Sequence, residues 1–89
     1  MCNIAGAMEL TVLYFAVARD RAGGRSSEAL TLPAAATVAD LRAAVEAQHP
    51  PLAPLLPRCR VAVNADFAPD SAALSPGDEV AIIPPVSGG

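Results

Sequence analysis

The chain of 89 residues contains no lysine and no tryptophan. Its six basic side chains are all arginine: Arg19, Arg21, Arg25, Arg42, Arg58 and Arg60. They are scattered along the chain and outnumbered by nine acids, giving a net charge of −3. A nucleic-acid footprint needs clustered positive charge, and a single-strand footprint adds aromatic platforms. With 3% aromatic residues, neither is offered, so no nucleic-acid partner is expected. The acidic balance suits a basic protein surface instead. Histidine occurs once (His49) and cysteine twice (Cys2, Cys59). That is too little for a disulfide framework, for metal-ligand spacing or for a paired nucleophile and base. The arginines flanking Cys59 are expected to lower its thiol pKa. No apolar run is long enough to cross a bilayer, and residues 1–7 lack the basic region of a secretory signal. No membrane association and a cytoplasmic location are expected.

Hydrophobic residues make up 53% of the chain, enough for one domain with a modest aliphatic core. Glu9–Ala16 is rich in β-branched and aromatic residues and reads as a strand, central because it is apolar on both faces after Val12. Residues 17–24 read as a short helical turn and loop. Ser26–Leu32 reads as a second strand, stopped by Pro33. Thr37–Gln48 is the clearest helix. Thr37 and Asp40 form a capping-box pair, Val38, Leu41 and Val45 form one stripe, and Arg42 and Glu46 are placed as an i,i+4 pair on the outer face. His49 sits at the helix end, where a cation-leaning group is favoured. Pro50-Pro51 ends the helix. Arg58–Asn64 reads as a third strand with Cys59, Val61 and Val63 on one face. Asn64-Ala65-Asp66 favours a turn, and Phe67 begins a brief return strand. Pro76-Gly77 marks a type II turn within Ser75–Asp78. Glu79–Ile83 is the last strand, and Pro84-Pro85 cannot extend the ladder. One main helix on one face of a mixed sheet of four to five strands is an α+β arrangement.

The chain closes on Pro84-Pro85-Val86-Ser87-Gly88-Gly89. Glycine has no Cβ, so the last two residues fit a channel too narrow for other side chains. A bare carboxylate is a poor electrophile, but an acyl-adenylate of Gly89 is open to attack by sulfur or an amine. Without lysine, only the α-amine of the chain could intercept its own activated tail. Four extended residues, 86–89, reach about 13 Å at roughly 3.3 Å each, enough to enter a neighbouring active site. Residues 8–85 are expected to form the domain and 86–89 a flexible reactive tail. Residues 1–7 are expected to be an extension outside it, either disordered or a start-site artefact with Met8 as the true start.

Several segments together resemble a known family. These are Val12-Leu13-Tyr14-Phe15-Ala16 with Arg19, and Thr37–Arg42. Val61-Ala62-Val63-Asn64, Leu74–Val80 and the Pro-Pro-Val-Ser-Gly-Gly ending complete them. The resemblance runs from Glu9 to Gly89 and is to the ubiquitin-like β-grasp sulfur carriers of the MoaD/ThiS type, in particular the small subunits of molybdopterin synthase. It implies that an adenylating enzyme of the ubiquitin-activating type uses ATP on Gly89, and that a sulfur donor converts the adenylate to a thiocarboxylate. The loaded tail then serves cyclic pyranopterin monophosphate inside a large synthase subunit, two small subunits flanking a large-subunit dimer. The chain is expected to bind no cofactor or metal. Gly89 carries the chemistry and Gly88 the threading. Phe67, Ile82, Ile83, Pro84, Pro85, Val86 and Ser87 are expected docking residues, although strand alternation turns one of Ile82 and Ile83 inward. Acid–base work is left to the partner. The competing readings are a carrier for thiazole (thiamine) or tungsten-cofactor synthesis, a protein modifier acting through Gly89, and a non-reactive β-grasp interaction module.

Overall fold

A computed structural model describes residues 7–85. The chain runs through strand β1 (Ala7–Tyr14), short helix α1 (Ala16–Arg21), strand β2 (Ser27–Pro33) and helix α2 (Val38–Gln48). Two 3-10 turns, Pro50–Leu52 and Leu56–Arg58, lead to strands β3 (Arg60–Val63), β4 (Asp66–Phe67) and β5 (Glu79–Ile83). The sheet order is β2-β1-β5-β3-β4. β1 and β5 are parallel, with Tyr14 opposite Ile82, and the other pairings are antiparallel. This is the α+β, β-grasp arrangement expected.

Alternation sets the two faces of the sheet. Met8, Leu10, Val12 and Tyr14 of β1 point inward, as do Val80 and Ile82 of β5 and Val61 of β3. The expected stripe Val38, Leu41 and Val45 of α2 meets them, each fully buried. Leu52, Leu56 and Leu74 close the ends of this aliphatic core. The capping box is present: Asp40 N donates to Thr37 Oγ1 at 3.4 Å, and Thr37 N donates to Asp40 Oδ2 at 2.9 Å.

Three readings need correction, and a fourth gains a partner. β1 begins at Ala7 and ends at Tyr14, because Ala16 takes a positive φ of 51° and opens α1. Cys59 precedes β3, as the C-cap of a 3-10 turn, and is buried. Arg42 turns away from Glu46 and spans the chain after α2. Its Nε donates to Asp70 Oδ1 at 2.8 Å, its Nη2 to the Cys59 carbonyl at 2.8 Å and its Nη1 to the Leu56 carbonyl. A guanidinium fork fits three divergent acceptors, and Glu46 would engage only one edge of it. His49 caps α2 as expected, and its ring turns to β2, where Nε2 lies 2.7 Å from Glu28 Oε1. A carboxylate can only accept, so the ring proton sits on Nε2.

Asn64 and Ala65 link β3 to β4 in a two-residue hairpin, both with positive φ (50° and 76°). Asparagine tolerates this geometry, and alanine carries a Cβ penalty. Ala65→Gly is expected to stabilise the domain by about 1 kcal/mol, read as a higher urea midpoint at unchanged slope.

Candidate functional site at the root of the C-terminal tail

The tail root is β5, paired with β1 on one side and β3 on the other. Its start is fixed by the turn Ser75–Asp78. Gly77, at φ 83°, supplies the left-handed position the turn needs, and its N–H donates to the Glu9 carbonyl at 2.9 Å. Asp78 accepts from Ser75 N at 2.8 Å and from Asn64 Nδ2 at 2.9 Å. Glu79 N donates to Asn64 Oδ1 at 3.0 Å, and Asn64 N to the Glu79 carbonyl at 2.8 Å. Asn64 and Asp78 therefore clamp β3 and β5 in register. In the sequence Asn64 and Asp78 stand only as turn residues, and their joint role appears once β3 and β5 are side by side.

The sheet face opposite α2 carries an apolar row. The register aligns Leu13, Ala81, Ala62 and Phe67 across β1, β5, β3 and β4. Ile83, opposite Arg60, lies beside this row on the side from which the chain continues toward the tail. Phe67 is 61% exposed, and the Arg60 guanidinium stacks over its ring at 4.3 Å from the centroid. That contact shields one ring face and leaves a cation at the patch edge. A depression of about 350 Å³ beside the row is lined by residues including Cys59, Arg60, Phe67 and Asp70.

The expected docking residues therefore divide. Phe67 and the half-buried Ile83 lie on the outer face, and Pro85 is exposed. Ile82 is fully buried in the core and Pro84 is buried as well. Neither presents a surface, so both leave the docking set: alternation turned Ile82 to the α2 side. Val86, Ser87, Gly88 and Gly89 lie outside the described residues.

The ionisable groups near the root serve the fold. Burial pushes the Cys59 thiol up, and Arg42 only partly opposes this, contrary to the expected lowering by Arg58 and Arg60. Burial likewise pushes the Tyr14 phenol far above its ordinary value, Glu28 acting in the same direction and Arg25 against it. The Tyr14 ring meets His49 edge-on at 5.6 Å. Among the described residues no cluster of three metal-ligating side chains occurs, and no helix is long and apolar enough to cross a membrane.

A long helix laid across a mixed five-stranded sheet, with its C-terminal strand held in the middle, defines a ubiquitin-like β-grasp protein. Over residues 12–89 the chain matches the ThiS family, and it belongs to that family. It is 43% identical over 84 residues to the molybdopterin synthase sulfur carrier subunit of Chlamydomonas reinhardtii, covering 92% of this chain and 100% of that protein. The human protein of the same name is 36% identical over 84 residues, covering 91% of this chain and 94% of that one. The solved structure of H. volcanii small archaeal modifier protein 1 superposes with a TM-score of 0.80 at 28% identity, covering 89% of this chain and 99% of that one.

Raised folded-state values stabilise the fold below the unfolded pKa, and that stabilisation is lost as pH rises toward the folded one. Thermal stability is therefore expected to fall from about pH 9 upward, first through Cys59 and then through Tyr14. Tyr14→Phe should flatten the fall above about pH 10, as read from melting curves.

Proposed function

We propose that this chain is the sulfur-carrying small subunit of a molybdopterin synthase. The observation that carries the reading is the Gly88-Gly89 ending, six residues beyond Ile83, the last residue of a strand paired on both sides. Identity to two sulfur carrier subunits across nearly their whole length supports it. In this reading the Gly89 carboxylate attacks the α-phosphorus of ATP on an adenylating enzyme and releases pyrophosphate. A sulfur donor then attacks the acyl carbon and AMP leaves; a sulfide-level donor gives the Gly89 thiocarboxylate directly, and a persulfide donor gives an acyl disulfide that a thiol reductant cleaves to it. That sulfur is nucleophilic yet tethered, so free sulfide is avoided. In the large subunit it is given to cyclic pyranopterin monophosphate, and two deliveries complete a dithiolene.

The chain contributes position rather than acid–base catalysis. The row of Leu13, Ala81, Ile83 and Phe67 docks against the large subunit. Pro85, with Pro84 buried behind it, stiffens the departure of the tail and lowers the ordering cost of binding. Val86 and Ser87 line the channel wall, and Gly88 threads it. ATP is consumed at the activating enzyme, the chain holds no cofactor of its own, and the reaction is cytoplasmic.

Thiocarboxylated protein, mixed with a large subunit and cyclic pyranopterin monophosphate, is expected to yield molybdopterin, and the carboxylate form none. No product from a folded domain with an active large subunit would overturn the assignment. Removing Gly89 should abolish transfer and leave the melting temperature unchanged. Phe67→Ala should weaken large-subunit binding by about 1–3 kcal/mol at little cost in stability, because the ring is already solvent-exposed.

A second reading, protein modification through Gly89, is favoured by the likeness to small archaeal modifier protein 1. Recovery of Gly89 joined to lysines of other proteins in cell extracts would support it.

A further inference from the structure

We propose that the arginine-only surface is a specificity device: it denies the activated tail any lysine amine on its own chain or on other copies of it, so that the Gly89 adenylate passes to sulfur. The inference rests on the sulfur-carrier reading and adds what prevents the competing reaction.

The register places basic side chains beside the tail root. Arg60 is opposite Ile83, and β3 runs backward as β5 runs forward, so Arg58 lies on the side toward which the tail departs. Gly89 lies six residues beyond Ile83, a contour length of about 20 Å. Some arginines are required as arginine. Arg42 uses its fork on three acceptors, Arg60 stacks on Phe67, and Arg21 donates to the Pro51 carbonyl at 3.2 Å. Arg58 is exposed, and its side chain makes no hydrogen bond or ion pair among the described residues. The fold accepts a lysine there equally well, so packing does not account for the guanidinium.

The chemistry does. A neutral lysine amine would attack the Gly89 carbonyl carbon through its nitrogen lone pair. The bond to the AMP phosphate oxygen breaks, AMP leaves, and the nitrogen releases a proton to solvent. The product is a dead isopeptide. Near neutral pH a lysine has a small neutral fraction, which grows about tenfold per pH unit, whereas guanidinium remains protonated. The other nucleophiles close to the root are guarded. Cys59 is 3% exposed, and hydroxyls need a base, whereas the chain's only histidine is engaged by Glu28.

The test uses the full chain, an adenylating enzyme and ATP, with no sulfur donor present. Pyrophosphate release reports adenylation, and intact mass reports cross-links. The native chain is expected to release pyrophosphate without forming a thiol- and hydroxylamine-resistant species, whether a monomer lighter by one water or a covalent dimer. Arg58→Lys and Arg60→Lys are expected to accumulate such species, rising about tenfold per pH unit, with peptide mapping placing the bond between Gly89 and the new lysine. Resistant species from the native chain in equal yield would overturn the inference. So would their absence from both variants while pyrophosphate is released. Absence of pyrophosphate release from every form would overturn the carrier reading itself.

Discussion

The parallel pairing of β1 with β5 is the constraint on which the rest of the structure depends. A parallel pair cannot be closed by a tight turn, so everything between Tyr14 and Glu79 must be laid out to return the chain beside its own beginning. α2 covers one face during that return, and its stripe of Val38, Leu41 and Val45 seals over Val12, Val80 and Ile82. The last strand thereby becomes a central one. A C-terminus that leaves from a central strand has a rigid origin, which a tail leaving an edge strand or a terminal helix would lack.

Two polar devices hold the return path. Arg42 gathers the Leu56 and Cys59 carbonyls and the Asp70 carboxylate into one fork, fixing the proline-rich link that delivers β3. Asn64 and Asp78 then lock β3 to the start of β5. Both act where backbone groups would otherwise lack regular partners. Charge-assisted bonds to a half-buried guanidinium are among the stronger polar contacts available. Three acceptors on one side chain also fix geometry, where a surface i,i+4 pair would add only a few tenths of a kcal/mol.

What was legible in the sequence follows from the range of the interactions. The Thr37–Asp40 cap, the α2 stripe, the Gly77 turn and the β5 alternation are local, and they appear as read. The positive φ at Ala16 is not announced by its residue type, so the sequence pattern runs β1 two residues past its end at Tyr14. The partner of Arg42 lies 28 residues away, and periodicity on a single helix could suggest only Glu46. The Cys59 environment is hidden for the same reason: its sequence neighbours Arg58 and Arg60 are exposed, while burial decides the thiol. At the tail root, alternation foretold that one isoleucine would turn inward but not which. The sheet register chose Ile82. Gly88 and Gly89 lie outside the described residues, so the role proposed for them rests on the sequence and on the relatives alone.

The described structure contains buried ionisable side chains, yet none is arranged for catalysis. Tyr14, His49 and Glu28 join β1, the end of α2 and β2, and Cys59 is held protonated by its surroundings. On the proposed reading the reactive atom is carried on a tail, and an acid–base site belongs where that tail is delivered. The same logic bears on the likeness to both sulfur carriers and a protein modifier. Their shared fold supplies a rigid root and cannot decide whether sulfur or an amine reaches the acyl carbon. That decision lies in which nucleophiles are within reach of the tail, and so in the partner's channel and in the side chains that flank the root. On this chain those flanking cations are arginines, and the difference between a guanidinium and an amine is a difference in nucleophilicity rather than in charge.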